Sequence, residues 1–575
     1  MITCNLESPQ NLYLRSPYYY PIMVHLIKKP KKNGRKYLYL QENARIEGKV
    51  VRLWQIYLGP EDDFKTLSSL SFPRDVETES IEFGIETALL QVAKKLGVVD
   101  IINKHVDKRK QGLSVGEHVL LAAINRCIEP TSKKQLRSWL DSTVLRTLYP
   151  AKDVTLDAPG YWSHFRYLTP ENLEEIGDAI VKATKTTFGV KHDMLMFDPT
   201  NFFTYINPSR PNQQLPRHGH PKDGRPTLNL VNFSLFCTLD GGIPLLHLVY
   251  PGNKQDAAHF KDALQRLHAH VKKLGIAPDQ VTLTFDKGNL SPTIFKLIDS
   301  MQLHYIASIR PSMRKDLQYL PVSEFEMHEL PNKKTIGVKS VVRSMYGKDR
   351  HVIAIYNPRQ AKWQKKNLDA KITKRISDIK TFFEKRLNAK RWMDPDKVRA
   401  KCSALAGTKK FQELISVSVQ GEPGKLELSV AENVPAIEHA TLALGKSYIM
   451  TSREDLPAHE VAWAFRQQYL IEDAFKCLKN PSMLSIRPMY HWTDTSIRGH
   501  VFSCFLGLLL LSLLVRELHK LHVATSLHKA IRHLKKMRLT RIYVPGKKEP
   551  VQKIEKMNPE AKIIYDALEL HRFIE

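Results

Sequence analysis

Three carboxylates stand where a chain can bring acids together: Asp198, Asp286 and Glu472. Asp198 follows the apolar run Asp193-Met-Leu-Met-Phe197, and Pro199 is expected to stop regular strand pairing just beyond it. Asp286 follows a second run, Val281-Thr-Leu-Thr-Phe285. One strand-terminal Asp ordinarily just caps a turn. Two on strands expected to be neighbours, at the carboxyl ends where α/β sheets gather functional groups, point to a shared site. Glu472 belongs to a stretch predicted as one amphipathic helix, with Ala464, Ile471, Phe475 and Leu478 on its buried face. Phe465, Gln468 and Lys479 sit seven and four residues before and seven after it, and so return to nearly the same side. Asp473 is an alternative third acid, and Glu472 is preferred for its register with Lys479. Asp193 is an alternative first acid, but it opens its apolar run rather than ending it.

Such a trio makes a hard, oxygen-rich, negative pocket suited to Mg²⁺ or Mn²⁺. Two ions about 3.5–4 Å apart activate a water or a 3′-hydroxyl and stabilise the leaving oxygen of a phosphodiester. In that arrangement Asp198 bridges the ions, Asp286 and Glu472 each complete one, and Lys479 meets a phosphate as a point charge.

The elements that must position these groups follow from periodicity. Apolar runs at 193–197, 228–239 and 243–250 predict three strands, the last two joined by Asp240-Gly-Gly242. An amphipathic helix over 256–273, a strand at 281–285, a helix over 292–300 and a strand at 305–309 follow. The order β-β-β-α-β-α-β is that of a ribonuclease-H-like α/β fold. Residues 186–310 and 446–515 are therefore expected to form one catalytic core in two parts. A β-rich insertion with a very basic helical segment is expected between them, at 311–445. Ahead of the core come a basic β-meander and linker, 1–82, with a hairpin at Asn33-Gly34, and a helical module, 83–185. Ser114-x-x-Glu117 and Ser132-x-x-Gln135 read there as capping boxes. The module's Arg126, Lys133, Lys134 and Arg137 offer a face for DNA, or equally a solvated one. The tail at 516–575 is expected to be a basic appendage, with eleven Lys or Arg against two Glu between Arg516 and Lys553.

Charge points to the partner. Lys and Arg outnumber Asp and Glu 87 to 59 over 575 residues, a formal net charge of +28. So strong a positive field attracts polyanions, with nucleic acid first among them. The six cysteines are scattered without a C-x-x-C pair, which fits a reducing cytoplasm and excludes a disulfide scaffold or structural zinc. The start lacks the features of a signal peptide. The apolar run Val501–Val515 spans only about 22 Å as a helix, short of the roughly 30 Å hydrocarbon layer, and reads as a core helix rather than a membrane span. Gly445-Lys446-Ser447 fails as a phosphate loop, because the first glycine is missing and a strand follows. Trp363 and Trp392 are read chiefly as packing anchors of the basic segment.

The string Phe465-x2-Gln468-x3-Glu472-x6-Lys479 resembles the Y-x2-R-x3-E-x6-K signature of the DDE transposases of the insertion-sequence-four superfamily. Phe197-Asp-Pro-Thr-Asn-Phe-Phe203, Gly241-Gly-Ile-Pro-Leu, Pro251-Gly-Asn253 and Phe285-Asp-Lys-Gly-Asn carry the same resemblance. So does Arg487-Pro-x-Tyr-His-Trp, while the basic N-terminal meander, the helical module with Pro130-Thr-Ser-Lys133 and Arg498-x-His500 are similar to the branch with long N-terminal and inserted regions. The resemblance implies Asp198, Asp286 and Glu472 as catalytic metal ligands for two Mg²⁺ (or Mn²⁺) ions. It implies DNA contacts from Lys479, Gln468, Phe465, Arg487 and Arg498. It further implies cleavage at terminal inverted repeats, strand transfer into target DNA, and a homodimer or larger synaptic complex in a prokaryotic, nucleoid-associated setting with no membrane. Phe465 and Gln468 replace the usual Tyr and Arg, so a hydroxyl and a charge near the cut end are missing. A metal-dependent nuclease on the same fold and a non-catalytic DNA-binding repressor are the rival expectations.

Overall fold

The computed structural model describes residues 23–574 except 32–33, 47, 62–76, 109–111, 150–155, 208–212, 223, 226, 488 and 545–547. Asn33 of the expected turn, and most of the expected linker, lie outside the described residues. The chain divides into two units, residues 1–80 with 540–553 and residues 81–539 with 554–575.

The first unit holds an antiparallel meander of β1 (Met23–Pro30), β2 (Lys36–Ile46) and β3 (Lys49–Pro60). Its alternating sequence sends Tyr37, Tyr39 and Tyr57 to one face, where the ring centroids lie 5.9 and 5.3 Å apart. The Lys29 and Lys31 ammoniums sit over the Tyr39 and Tyr37 rings at 5.3 and 4.6 Å. Strand β4 (Glu77–Glu82) begins in this unit.

The second unit is built on one mixed sheet. Its strands are β5 (Met194–Thr204), β6 (Asn229–Thr238), β7 (Pro244–Pro251), β8 (Thr282–Phe285), β9 (His304–Ile309), β10 (Glu326–Glu329), β11 (Thr335–Met345), β12 (Lys348–Tyr356) and β15 (Lys446–Thr451), with β13 (Ile415–Gln420) and β14 (Glu427–Glu432) forming a separate hairpin. The order across the sheet is β10-β11-β12-β15-β9-β8-β5-β6-β7. Strands β5, β6 and β7 are antiparallel, whereas β5, β8 and β9 are parallel. The helices Asp256–Lys273 and Pro292–Met301 make the crossovers into β8 and β9. Phe260 of the first of these packs on Phe197 and Phe285 at 4.8 and 4.9 Å, which fixes that helix against the centre of the sheet.

The region expected as an insertion divides. Strands β10, β11 and β12 hydrogen-bond through β15 into the central sheet. Residues 358–444 instead gather around their own core of Leu368, Ile372, Ile379, Val398, Leu414 and Val430. Trp392 packs edge-on against Phe382 and Phe383 in this core, as expected, but Trp363 is 65 % exposed.

Three local expectations are corrected. Strand β5 does not end at Asp198; it pairs with β6 through Pro199 to Thr204. Its ladder with β8 stops at Met196–Thr284, so the other edge is open there, and the Pro199 carbonyl accepts from Lys222 Nζ at 2.6 Å. A residue without an N–H is harmless on that open edge. The expected helix over 465–479 is two helices, Ala458–Arg466 and Tyr469–Lys479, joined through three-residue hydrogen bonds at Gln467 and Gln468. The first packs Val461, Ala462 and Ala464 with β9, β11, β12 and β15, and the second packs on β5 and β6. Two separate patches of one twisted sheet require the turn between them.

The third correction concerns the tail. It is no appendage: Ala530, Ile531, Leu534, Met537, Ala561 and Ile564 join the main core beside Phe83 and Ile85, and β16 (Arg538–Tyr543) and β17 (Val551–Ile554) order as β17-β16-β4. Gly84 permits the approach of Leu534, since a Cβ there would meet the Leu534 carbonyl at 2.4 Å.

The apolar run is part of a 27-residue helix, Asp494–Lys520, about 40 Å long at 1.5 Å per residue. By length and composition that is enough to cross a membrane. What marks it as a core helix is burial, not length: its residues from Val501 to Leu514 are almost all buried, packed on the helices Gly84–Leu96 and Val115–Ile128. Both expected capping boxes form. Of the basic residues offered to DNA, Arg126 and Lys133 turn inward, and Arg137 pairs with Asp141.

Candidate active site

The parallel ladder aligns the first two acids. Met196 pairs with Thr284 on the last rung of the parallel ladder, and Asp198 and Asp286 each follow two residues on, Asp286 just beyond the end of β8. Asp286 is exposed and caps the short turn Lys287–Asn289. Its carboxylate accepts from the Ser308 hydroxyl at 2.5 Å, and the Lys287 N–H donates to that same hydroxyl at 2.8 Å. Ser308 comes from β9, so the third parallel strand fixes the acid of the second.

The third acid arrives on the helix Tyr469–Lys479, whose Ile471, Ala474, Phe475 and Leu478 are buried. Phe475 lies edge-on to Phe233 of β6 at 6.3 Å, and Lys479 Nζ stands 5.8 Å from the Phe202 ring of β5. The turn between β6 and β7 also touches this helix: Gly242, at φ +64°, lies where a Cβ would meet Leu470 at 3.0 Å. These contacts place Glu472, exposed in the first helical turn, at the mouth of the sheet. An open groove of about 490 Å³ runs beside it, lined by Glu472, Phe475, Lys476, Lys479, Asn480 and Pro481.

Asp198 is the electrostatic centre. Its carboxyl is pushed up to about 7, first by burial, then by the negative charges of Asp286, Glu472 and Asp256, against the opposing pull of Lys222. Burial and carboxylate repulsion together outweigh the one cation. Glu472 is among the acids that act on Asp198; Asp473 pairs with Lys476 at 2.7 Å on the exposed side.

Two neighbours carry no motif. Asp256 opens the helix Asp256–Lys273, accepts from the Tyr250 hydroxyl at 3.0 Å and pairs with Lys222 at 3.2 Å. Tyr250 stacks on His259 at 3.5 Å, and Ser234 meets the far nitrogen of that ring at 3.0 Å. In sequence Asp256 looks like an ordinary helix-opening acid, and Lys222 is one lysine among many. Only the spacing of Tyr250 and Asp256 around Pro251-Gly-Asn253 hints at a role. There Asn232 Nδ2 donates to the Pro251 and Lys254 carbonyls at 3.0 and 2.9 Å, holding the loop closed.

The remaining expected contacts are spread out. Gln468 precedes the Glu472 helix, its side chain making no cap bond, while its carbonyl accepts from the Ile471 and Glu472 amides. Phe465 lies on the preceding helix and packs into the cluster of Ile306, Ile353 and Val461. The Arg487 guanidinium stacks 4.7 Å from the Phe203 ring and donates to the Lys479 carbonyl. Arg498 donates to the Val249 carbonyl at 3.0 Å, beneath the edge strand.

The donor set is oxygen only, and its acids repel one another, which is the condition a hard dication relieves. Among the described residues, no three His, Cys, Asp or Glu side chains stand close enough together to hold an ion as they are placed. Asp198, Asp286 and Glu472 surround one end of the sheet without converging on a point.

The sequence matches the family of transposase DDE domains over residues 208–510, more than half of the chain. That stretch takes in Asp286 and Glu472 and begins just past Asp198. No curated protein matches the chain. Among solved structures, the chain resembles a piggyBac transposase in a synaptic complex with hairpin DNA, at 9 % identity and a TM-score of 0.32, covering 80 % of this chain and 82 % of that one.

Proposed function

Because the chain belongs to the transposase DDE domain family, we propose that it cuts DNA at terminal inverted repeats and joins the freed ends to target DNA. We read the branch as the insertion-sequence-four superfamily, and the five strands β7-β6-β5-β8-β9 as a ribonuclease-H-like core extended by β15 and β10 to β12. The observation that supports this reading is that Asp198 and Asp286 each follow the last rung of the β5–β8 ladder by two residues, with the charges of Asp286 and Glu472 helping to raise the Asp198 carboxyl.

In this reading Asp198, Asp286 and Glu472 would hold two Mg²⁺ or Mn²⁺ ions, which when bound supply Lewis acidity to a phosphodiester. Ser308 keeps Asp286 oriented through its hydroxyl. Lys222 draws Asp256 and the Pro199 backbone together beside Asp198. Lys479 and the stacked Arg487 lie on the side of the Glu472 helix where a DNA backbone would run, and carry the point charges that meet its phosphates. Water cleaves the element end, and the resulting 3′-hydroxyl attacks the target strand without a protein–DNA covalent intermediate. Two copies pairing two ends form the working complex.

A strand-transfer assay tests this, using repeat-ended DNA, Mg²⁺ and the Asp198→Ala, Asp286→Ala and Glu472→Ala proteins. Loss of joined product in all three supports the reading, and joined product from any one of them removes that residue from the site. Cleavage without joining by the unsubstituted chain would make it a nuclease. Repeat binding with neither cleavage nor joining would make it a DNA-binding protein without catalysis.

A further inference from the structure

Lys133, His491 and His500, from the stretches Pro130-Thr-Ser-Lys133, Tyr490-His-Trp492 and Arg498-x-His500, meet in one place away from the carboxylates. Beside them stands Arg126, 6 % exposed, which donates to the Ser485 and Thr131 carbonyls at 3.3 and 2.8 Å while its Nε has no partner. Lys133, 7 % exposed, holds its ammonium 5.6 and 5.8 Å from the Tyr161 and Phe165 rings. The rings of His491 and His500 lie 4.4 Å apart, and His491 sits edge-on to Trp162 at 4.7 Å. His500 Nε2 donates to the Ile486 carbonyl at 2.9 Å. Among the described residues, the Tyr161 hydroxyl and the Nδ1 atoms of His491 and His500 are buried without hydrogen-bond partners.

The cluster holds two buried cations and no acid. Neither Arg126 nor Lys133 makes an ion pair among the described residues, and the Cys504 thiol acts on both. Burial holds that thiol neutral, its pKa raised despite Arg126 and Lys133. Burial, then the Arg126 charge, pushes the Lys133 ammonium down to about 7, and burial drives His491 and His500 well below their usual range. A buried charge requires a compensating partner, and buried donors require an acceptor.

We propose that this cluster is an internal site for a small monovalent inorganic anion of the chloride kind, held by Arg126 Nε, the Lys133 ammonium, the Tyr161 hydroxyl and His491 Nδ1–H. A DNA phosphate does not fit this role, because Tyr161 and His500 have no exposed surface and a strand cannot enter. An anion here fastens His491 to the helices that supply Arg126 and Tyr161, a few residues on from Arg487. The site does not depend on the reaction proposed for the carboxylates.

The test is thermal unfolding of the full chain at constant ionic strength, with sodium gluconate exchanged stepwise for sodium chloride and then sodium bromide. The expected result is a saturable rise of about 2 °C in Tm, the size of a ligand bound at tens of times its Kd. The rise should be absent in Lys133→Met, and crystals grown in bromide should show anomalous density between Arg126 and Lys133. Identical Tm in gluconate and chloride overturns the proposal, as does a full chloride response in Lys133→Met or bromide density only elsewhere. Where Lys133→Met fails to fold, the bromide map of the unsubstituted chain decides.

Discussion

The carboxylate end of the central sheet and the Arg126–Lys133 cluster both gather like charge without full compensation. They differ in what surrounds the excess. At the sheet end, Asp286 and Glu472 face solvent and only Asp198 is half-buried, so the repulsion is relieved by anything positive that arrives from outside. In the cluster every member is closed in, so relief must come from something small or from loss of a proton. Open acids around one buried acid make a site for exchange; closed cations make a fixed joint. On the two proposals, the same electrostatic imbalance would serve chemistry in one place and architecture in the other.

The comparison breaks most visibly at the acids. Asp198→Ala and Asp286→Ala are each expected to lower strand transfer by at least about 10³-fold, as loss of a metal ligand at a phosphodiester site does. The Tm should not fall in either variant, because each change removes a mutually repelling charge. A folded variant with normal joining would show that the open acids are ordinary surface charge.

A third excess sharpens the contrast. Glu86 is 1 % exposed, neither of its oxygens has a partner, and burial, with Glu82 nearby, raises its carboxyl from 4.5 to about 8. Between pH 4.5 and 8 the folded chain holds a proton that the unfolded chain has lost, so stability falls as pH rises through that window and is lowest above it. Glu86→Gln should therefore stabilise the chain by up to about 5 kcal/mol above pH 8 and leave it unchanged below pH 4.5. Chemical denaturation at both pH values checks this, and an equal effect at both would place the cause outside titration.

Ser308→Ala releases Asp286 from its orienting hydroxyl and should slow cleavage about 10-fold, with Tm unchanged and partial rescue by Thr. The smallest effect belongs to Lys479→Gln: binding to repeat DNA should weaken a few-fold, and the slope of log affinity against log salt should fall by about one. A lost affinity with an unchanged salt slope would assign Lys479 to packing on Phe202 instead.

Much of this arrangement was readable in the residues. Apolar runs and breakers set the order from β5 to β9 and its two crossover helices, because periods of two and 3.6 are local properties of a chain against one buried face. Asp198, Asp286 and Glu472 stood out because each follows or flanks such a run. The length-based case for a core helix at 501–515 was less secure, since the helix extends well beyond the run at both ends.

What only the tertiary structure decided depends on which surfaces meet. The apolar spacing of 464–478 runs on without interruption, yet the helix turns at Gln467–Gln468 because its two halves pack on different strands. Pro199 sits within a strand because β8 has already left that edge. Lys222, Asp256 and Ser308 reach the acids from loops, a helix start and a third strand, and no spacing along the chain encodes those approaches. Sequence by itself set the order of the elements and offered the acids as candidates, since local periodicity and residue chemistry suffice for that. Whether a lysine such as Lys133 faces DNA or the interior is set by long-range packing, because its burial belongs to the helices folded around it.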